Sequence, residues 1–216
     1  MDTVRIGILG SGLMGGKLGT IFARAGHEVI FSYARRREKL ERLARQAGND
    51  ARASTPHEAA RADAVLLAVN WWRLNDVLKQ AGSLSGKVVI SCSLPMKRDN
   101  SDLAIAHKSS GAEALARKIP RARVVFAFST VPSEVLFDVA RPGRKTRPSL
   151  VYCGDDRKAK RLAARLIRGA GFDPLDAGPL RIARYMEPAT LLIAQLAYEG
   201  KGGPRLAYRF ERFKGR

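Results

Sequence analysis

A glycine-rich turn near the start of the chain constrains its fold more than any other feature. The run Gly10-Ser11-Gly12-Leu13-Met14-Gly15 has the pattern G-x-G-x-x-G. It follows an apolar run at residues 4–9, which predicts a buried strand, and it precedes apolar residues at helical spacing. A strand, this turn and a helix in that order are typical of a sheet that binds a dinucleotide.

The three glycines of this turn have separate predicted roles. Gly10 permits a tight turn, Gly12 lets the main chain approach a pyrophosphate, and Gly15 lets the helix pack closely on the strand. The N-terminus of that helix offers unpaired N–H groups and the positive end of its dipole to phosphates. Residues 10–15 are therefore a predicted pyrophosphate site.

The second predicted strand, residues 28–32, indicates which dinucleotide is bound. Sheets that bind NAD carry an Asp or Glu there, which holds the ribose 2′-hydroxyl. Here the strand ends at Ser32 without a carboxylate, and Arg35, Arg36 and Arg37 follow it. Arginine forms forked, charge-assisted hydrogen bonds to phosphate. The sequence predicts NADP rather than NAD, with Arg35 as the main ligand of the 2′-phosphate and Ser32 and Arg36 in support.

Apolar runs alternate with amphipathic stretches along the first two thirds of the chain. Further strands are predicted at residues 64–69, 87–92 and 123–128, and helices at residues 36–47, 72–81 and 111–119. Such alternation implies right-handed crossovers and a sheet covered on both faces. We predict the α/β class: a Rossmann-type doubly wound sheet, mainly parallel, with a small C-terminal α/β extension that ends in a long helix.

The C-terminal part begins after a segment typical of a linker. Residues 141–148 contain two prolines, a glycine and four basic residues. Beyond it the pattern predicts a strand at residues 150–153, a basic helix at 155–170, an extended piece at 172–177 and a helix at 187–198 with Pro188 in its first turn. We expect an NADP-binding domain over residues 1–145 and a small domain over residues 146–216 that closes the cofactor cleft.

The charge of the chain indicates the kind of partner it attracts. Lys and Arg number 39 against 20 Asp and Glu, which gives a formal net charge of +19. Such a charge attracts anions and speeds their association. The basic residues are spread along the chain and are not interleaved with aromatic residues, as a single-strand binder requires. We expect small anionic cofactors as partners, and neither nucleic acid nor a membrane.

Compartment signals in the sequence favour the cytoplasm. No apolar run approaches the roughly 20 residues of a membrane-spanning helix, and the N-terminus lacks the pattern of a signal peptide. Cys92 and Cys153 lie in apolar stretches without a CxxC motif, which is typical of buried reduced thiols. We therefore expect a cytoplasmic protein.

The predicted chemistry takes place at the carboxyl ends of the strands, where ligands of such sheets bind. Residues 69–72, 91–95 and 129–133 follow three strands and should line the ribose and nicotinamide, with Trp71 or Trp72 beside the cofactor or in the core. The histidines show no metal-ligand spacing, and neither a Tyr-x-x-x-Lys dyad nor a G-x-S-x-G motif occurs. Hydride transfer between two rings held face to face needs neither. We predict no metal site and no catalytic side chain.

Several stretches together carry a resemblance to a known family. Besides the glycine turn, Ser93-Leu94-Pro95 and Thr130-Val131-Pro132 match two of its loops, and residues 153–156 and 174–180 are more specific matches. With Arg184 and Glu187 opening the last helix, nearly the whole chain resembles the coenzyme F-420-dependent NADP oxidoreductases, the small deazaflavin:NADP hydride transferases. Asn70 and Ser129 depart from the family's usual proline and from the histidine of archaeal relatives.

The resemblance implies an enzyme that passes hydride between NADPH and a deazaflavin, coenzyme F-420, or a flavin-like acceptor. It also implies that the main chain around Leu206 approaches the deazaflavin. The complete set of predicted cofactor-binding residues is Gly10, Ser11, Gly12, Leu13, Met14, Gly15, Ser32, Arg35, Arg36, Val69, Asn70, Trp71, Ser93, Leu94, Pro95, Thr130, Val131, Pro132, Ser133 and Leu206.

Other functions stay open from the sequence. A β-hydroxyacid or imine-type NADPH reductase is suggested by the glycine turn and by Gly26-His27-Glu28, although such enzymes usually have a longer, wholly helical second domain. A non-catalytic NADP-sensing module is the third functional hypothesis. The last helix, with Tyr208, Phe210 and Phe213 beyond it, forms either the seam of a homodimer or a domain core.

Overall fold

Eight strands form one continuous sheet in the part of the chain that the computed structural model describes, residues 3–143 and 145–213. The strands are β1 (Arg5–Leu9), β2 (Glu28–Ser32), β3 (Arg52–Ala53), β4 (Ala64–Leu67), β5 (Val88–Ser91), β6 (Arg123–Phe126), β7 (Ser149–Gly154) and β8 (Asp173–Asp176). Their order is β3-β2-β1-β4-β5-β6-β7-β8. Pairs from β3 to β6 are parallel, β7 is antiparallel to β6, and β8 is parallel to β7. The predicted α/β class with a mainly parallel, doubly wound sheet is confirmed.

Helices cover both faces of this sheet. They are α1 (Leu13–Arg24), α2 (Arg37–Ala47), α3 (Pro56–Ala60), α4 (Leu74–Ala81), α5 (Gly111–Lys118), α6 (Leu136–Val139), α7 (Arg157–Gly169) and α8 (Ala183–Ala194). Short 3-10 turns at Trp71–Arg73, Ser133–Val135 and Leu180–Ile182 precede α4, α6 and α8, and a π-helical turn, Gln195–Glu199, follows α8. None of the described helices is long and apolar enough to cross a bilayer.

Alternate strand residues supply two separate apolar cores, because successive side chains of a strand point to opposite faces. In β4, Leu66 packs in one core with Ile8 of β1, whereas Leu67 packs in the other with Leu9. Side chains of α1, α2 and α7 complete the first core, and those of α3, α4 and α5 complete the second. Both faces are therefore buried, which explains why the strands are almost entirely apolar.

The strand order changes direction beside β1. From β1 the chain moves outward to β2 and β3, and it then returns to form β4 on the other side of β1. The connections that leave β1 and β4 at their carboxyl ends therefore diverge, and a crevice opens between them. This is the position at which open α/β sheets bind their ligands.

The last helix begins earlier than the sequence predicted. A 3-10 turn at Leu180–Ile182 leads directly into α8 at Ala183, so Glu187 and Pro188 lie inside the helix. The prediction of a start at residue 187, with Pro188 in the first turn, is wrong. It relied on the preference of proline for helix starts, whereas here the buried Met186 and Glu187 require helix on the N-terminal side of the proline.

The predicted linker, residues 141–148, lies between α6 and β7. Its residues 141–143 and 145–147 are exposed, whereas Pro148 is buried. The two strands beyond it, β7 and β8, extend the same sheet as the N-terminal strands. The division into domains at residue 145 stays a prediction.

A buried carboxylate fastens the C-terminal helix to the rest of the molecule. Glu187 of α8 is fully buried and accepts hydrogen bonds from the main-chain N–H groups of Gly111, at 2.8 Å, and Ala112, at 2.9 Å, at the start of α5. Burial raises the pKa of Glu187 to about 7, although the two N–H bonds oppose this shift. One turn earlier, Arg184 forms a two-pronged ion pair with Glu113.

Replacing Glu187 by Gln should remove part of the pH dependence of stability. Because the pKa of Glu187 is raised to about 7 in the folded protein, the wild type should lose stability as the pH rises from about 5 to about 8, whereas the neutral amide does not titrate. The measurement is urea unfolding at these two pH values. Glu199→Gln, a change of the same chemistry at an exposed position of the C-terminal segment, is the control and should keep the wild-type pH dependence. Equal pH dependence of the two variants would contradict the prediction.

Candidate functional site

The glycine turn brings α1 directly against the end of β1. Gly10 has φ +108°, a conformation that other residues rarely adopt, and a Cβ atom there would lie 2.3 Å from the Ala68 carbonyl oxygen. A Cβ atom on Gly15 would lie 1.9 Å from the Gly10 carbonyl oxygen. No side chain fits at either position, so the close approach of helix and strand depends on both glycines.

The N-terminus of α1 is open. Its N-cap, Gly12, provides no side-chain cap, the first turn holds no acidic residue, and a Cβ atom on Gly12 would meet nothing within 4 Å. By contrast, side chains of Thr55, Ser110 and Asp156 cap α3, α5 and α7. The first N–H groups of α1 and its positive dipole end are therefore available to an anion.

A cavity of about 1090 Å³ lies beside this helix end, at the carboxyl ends of β1, β2 and β4. Its cationic wall consists of Arg35, Arg36, Arg37, Lys39, Arg42 and Arg73. The remaining wall includes the glycine turn, the start of α3 and one side of α4. A positively charged cavity that ends at an open helix N-terminus is suited to a ligand with several phosphate groups.

One wall of the cavity carries a polar cluster. The Tyr33 hydroxyl donates a hydrogen bond of 2.5 Å to Asp76 Oδ2, and Gln80 Nε2 donates one of 3.1 Å to the same oxygen. These bonds lower the pKa of Asp76, whereas burial, with help from Asp76, raises the pKa of Tyr33 to about 12. Tyr33 also has φ +59°, a strained conformation for a bulky residue.

The structure brings part of the predicted site together around this cavity. Among the predicted residues, its lining includes Gly10, Ser11, Gly12, Arg35, Arg36, Val69 and Asn70. Met14 and Trp71 are half-buried against the cores, and Leu13 is exposed at the open end of α1. Gly15 is buried under the turn.

The prediction for Ser32 needs correction. Its side chain is fully buried, and its hydroxyl donates a hydrogen bond of 2.7 Å to the Ile8 carbonyl. Ser11 makes a similar bond, 2.9 Å, to the carbonyl of Ser32. Both hydroxyls tie β1, β2 and the turn together. Ser32 therefore does not offer its hydroxyl to a ligand in the cavity.

The predicted residues after β5 and β6 lie outside the lining of this cavity, at neighbouring strand ends. The buried Ser93 hydroxyl accepts a bond from the N–H of Val69, so it positions the end of β4. Ser133 is held to α1 by Lys17, whose Nζ lies 3.0 Å from the Ser133 carbonyl oxygen. Leu94 is half-buried, whereas Pro95, Val131 and Pro132 are buried.

The C-terminal segment returns to these strand ends. The hydroxyls of Thr130 and Tyr208 are hydrogen-bonded at 2.7 Å, and the Tyr208 carbonyl accepts from the N–H of Ser149 at 2.9 Å. Leu206, two residues before Tyr208, is half-buried. The segment that carries Leu206 thus lies beside the loop after β6.

Sequence reasoning missed several residues of the cavity. They are Tyr33, Glu38, Lys39, Arg42, Ser54, Thr55, Pro56, Arg73, Asp76 and Gln80. The signal for Ser54, Thr55 and Pro56 was available, because Thr-Pro followed by Glu is a helix start. Asp76 and Gln80 gave no such signal, since charged and amide residues on a helix usually face solvent.

The thiols and imidazoles of the described residues lie apart from the cavity lining. Burial raises the pKa values of Cys92 and Cys153 to about 12, so neither thiol ionises near neutral pH. His27 is buried at the amino end of β2, where its Nδ1 accepts from the N–H of Val4, and burial lowers its pKa. Within residues 3–143 and 145–213, no three His, Cys, Asp or Glu side chains gather as metal ligands.

Comparison with known proteins agrees with the glycine turn and the sheet. Residues 5–95 match the model of a family described as NADP oxidoreductase, coenzyme F-420-dependent. The resemblance drawn from the sequence is thereby confirmed over this segment. Metalloreductase STEAP3 of Rattus norvegicus is 28% identical over 191 residues, which cover 88% of this chain and 37% of that protein. The chain thus spans well under half the length of this relative.

Two solved structures share the fold across nearly the whole chain. One, from Arthrobacter sp. FB24, is named for an inferred F-420-dependent NADP-reductase activity; it has a TM-score of 0.84 and 22% identity, covering 97% of this chain and 100% of that chain. The other, hypothetical protein SMa0349 from Sinorhizobium meliloti, has a TM-score of 0.75 and 26% identity, covering 98% and 97%. The β7–β8 extension and the last helix are therefore part of a recurrent fold.

Substitution at Gly12 should abolish dinucleotide binding without unfolding the protein. Gly12→Val adds a side chain where no protein atom lies within 4 Å, directly over the open helix end, so it should exclude a pyrophosphate. Calorimetric titration with NADPH should detect no binding. Gly15→Val is the matched variant, and it should fail to fold because its Cβ overlaps the Gly10 carbonyl. Unchanged NADPH affinity of a folded Gly12→Val variant would contradict the site assignment.

Proposed function

We propose that this chain, whose residues 5–95 match the coenzyme F-420-dependent NADP oxidoreductases, transfers hydride between NADPH and a deazaflavin or flavin-like acceptor. The family match over residues 5–95 supports NADP dependence and oxidoreductase chemistry. The identity of the acceptor is our proposal, and so is the activity of the chain as a whole.

The observation that carries the proposal is an uncapped helix N-terminus at one end of a cationic cavity. The open end of α1 and the glycine turn would hold the pyrophosphate, and Gly12 leaves room for it. Arg35 and Arg36 would hold the 2′-phosphate, and no carboxylate stands at the end of β2 to repel it. The lining thus fits NADP better than NAD.

Bound NADPH would supply the hydride, and the protein's part would be to hold two rings in contact. Neither a thiol nor an imidazole lines the described cavity, which suits a reaction that needs no strong acid or nucleophile. The loops after β5 and β6 would border the nicotinamide. The segment around Leu206, held to Thr130 through Tyr208, would border the acceptor.

Two other functions stand as alternatives to a deazaflavin or flavin acceptor. Reduction of a metal complex is favoured by the 28% identity to the rat metalloreductase. A β-hydroxyacid or imine-type reductase is less well supported, because the C-terminal part adds two strands to the sheet rather than a wholly helical domain. The cytoplasmic location and the homodimer stay predictions.

Turnover with a panel of acceptors tests the proposal. NADPH oxidation is followed with coenzyme F-420, FMN, FAD, a quinone, a ferric chelate, a keto acid and a cyclic imine. We expect oxidation with the deazaflavin or a flavin. Oxidation with only the ferric chelate, only the keto acid or only the imine would replace the proposed acceptor. Tight NADPH binding without turnover of any acceptor would indicate a sensing module.

The preference for NADPH should depend on Arg35. A hydrogen bond to a charged group contributes about 1.5–3 kcal/mol, and exposure to salt keeps the effect near the lower value. Arg35→Ala should therefore weaken NADPH binding about tenfold, and a double Arg35→Ala, Arg36→Ala variant more strongly, with little change for NADH. Arg45→Ala, at an exposed position near the end of α2, is the control.

Dissociation constants for both cofactors decide the outcome. The wild-type preference should also shrink as salt rises, because exposed ion pairs are screened. If the double variant binds NADPH and NADH more weakly by the same factor, the arginines have a structural role rather than a role in binding the 2′-phosphate. A wild type that prefers NADH would show that the interpretation of β2 is wrong.

A further inference from the structure

Two carboxylates, Glu38 and Asp76, lie on the wall of a cavity whose other charged side chains are cations. Asp76 of α4 lines the same cavity as six arginine and lysine side chains. Its hydrogen bonds from Tyr33 and Gln80 and the nearby Arg73 and Lys79 hold its pKa below the usual range, so it is negatively charged. A fixed negative charge repels the phosphates of a dinucleotide. A ligand group that donates a hydrogen bond, by contrast, gains from this charge.

The position of Asp76 indicates which part of the ligand it faces. The pyrophosphate site is at the start of α1 and the 2′-phosphate site is at the loop after β2. Asp76 and Gln80 are four residues apart on α4, so they share one face of that helix, and both line the cavity beside residues 54–56. This wall belongs to neither phosphate site. The adenosine ribose carries the 2′-phosphate and so stays beside the loop after β2, which leaves the base as the part of the adenosine end that can reach α4.

Resting on the proposed function, we propose that Asp76 reads the 6-amino group of adenine. An ionised carboxylate only accepts hydrogen bonds, and the exocyclic amine of adenine is the only donor pair of that base. The bonds from Tyr33 and Gln80 both use Oδ2, so Asp76 Oδ1 is the acceptor assigned to the amine. A base with a 6-oxo group instead of the 6-amino group sets an acceptor oxygen against the carboxylate, so the hydrogen bond from that position is lost.

Tyr33 is the positioning residue of this arrangement. It holds Asp76 Oδ2 from the end of β2 while adopting a left-handed backbone conformation that costs energy. Its ring packs against the second core. Because Tyr33 fixes Asp76 Oδ2, it also sets the direction in which Asp76 Oδ1 points.

Paired titrations test the proposal. The probes are NADPH and its 6-oxo analogue, in which hypoxanthine replaces adenine and the phosphates are unchanged. The wild type should bind the 6-oxo analogue about tenfold more weakly, the effect expected for one hydrogen bond to a charged group. In Asp76→Asn, whose amide both donates and accepts, the two affinities should agree within about twofold. Tyr33→Phe should reduce the wild-type ratio partway.

Glu38→Gln is the matched control, because Glu38 is the other carboxylate on the cavity lining. Its loss should strengthen binding of both cofactors alike and leave their ratio unchanged. Equal wild-type affinity for the two cofactors would overturn the proposal, and so would a ratio that survives in Asp76→Asn. Failure of NADPH itself to bind the folded wild type would instead remove the proposed function, and the inference with it.

Discussion

The candidate cofactor site depends on one steric constraint, the absence of side chains where α1 meets the end of β1. A single methyl group on Gly15 would overlap the Gly10 carbonyl at 1.9 Å, and one on Gly10 would overlap Ala68. Because these atoms are absent, the first N–H groups of α1 open into the crevice between β1 and β4. The same contact sets how far α1 stands from the sheet, and so where Lys17 reaches Ser133 in the loop after β6. Both ends of the predicted cofactor site are thus tied to two glycines.

Those parts of the fold that have a long repeating pattern were predictable from the sequence. The apolar strands and the glycine turn are such patterns, and the parallel order of β1 to β6 follows from their alternation with helices. The two-residue strand β3 and the five-residue helix α3 were not predicted, because elements of that length carry little periodicity. The start of α8 was misplaced since tertiary burial of Met186 overrode the local preference of Pro188.

The charges of the candidate site were predictable from the sequence. The directions in which its side chains point were less so. The arginines after β2 reach the cavity because they follow a strand that ends at its rim. The hydroxyl of Ser32 does not, since it donates to Ile8 in the neighbouring strand, a choice that residue type alone does not reveal. Asp76 is the opposite case: its spacing on α4 resembles that of a solvated residue, and only the fold brings Tyr33 across to it. Contacts between distant segments decide both outcomes.

The segment around Leu206, which we propose borders the acceptor, is held in place by contacts of its own. The C-terminal segment is held at the strand ends by Tyr208, through Thr130 and Ser149, and its helix is held at α5 by the buried Glu187. Both anchors lie on elements of the main sheet and its α5 layer. A change that loosens either anchor should therefore move the Leu206 segment relative to the loops after β5 and β6 and leave the cavity at β1 and β2 intact. Under the proposed function, acceptor turnover and NADPH affinity should therefore be separable properties, because different parts of the chain would position the two rings.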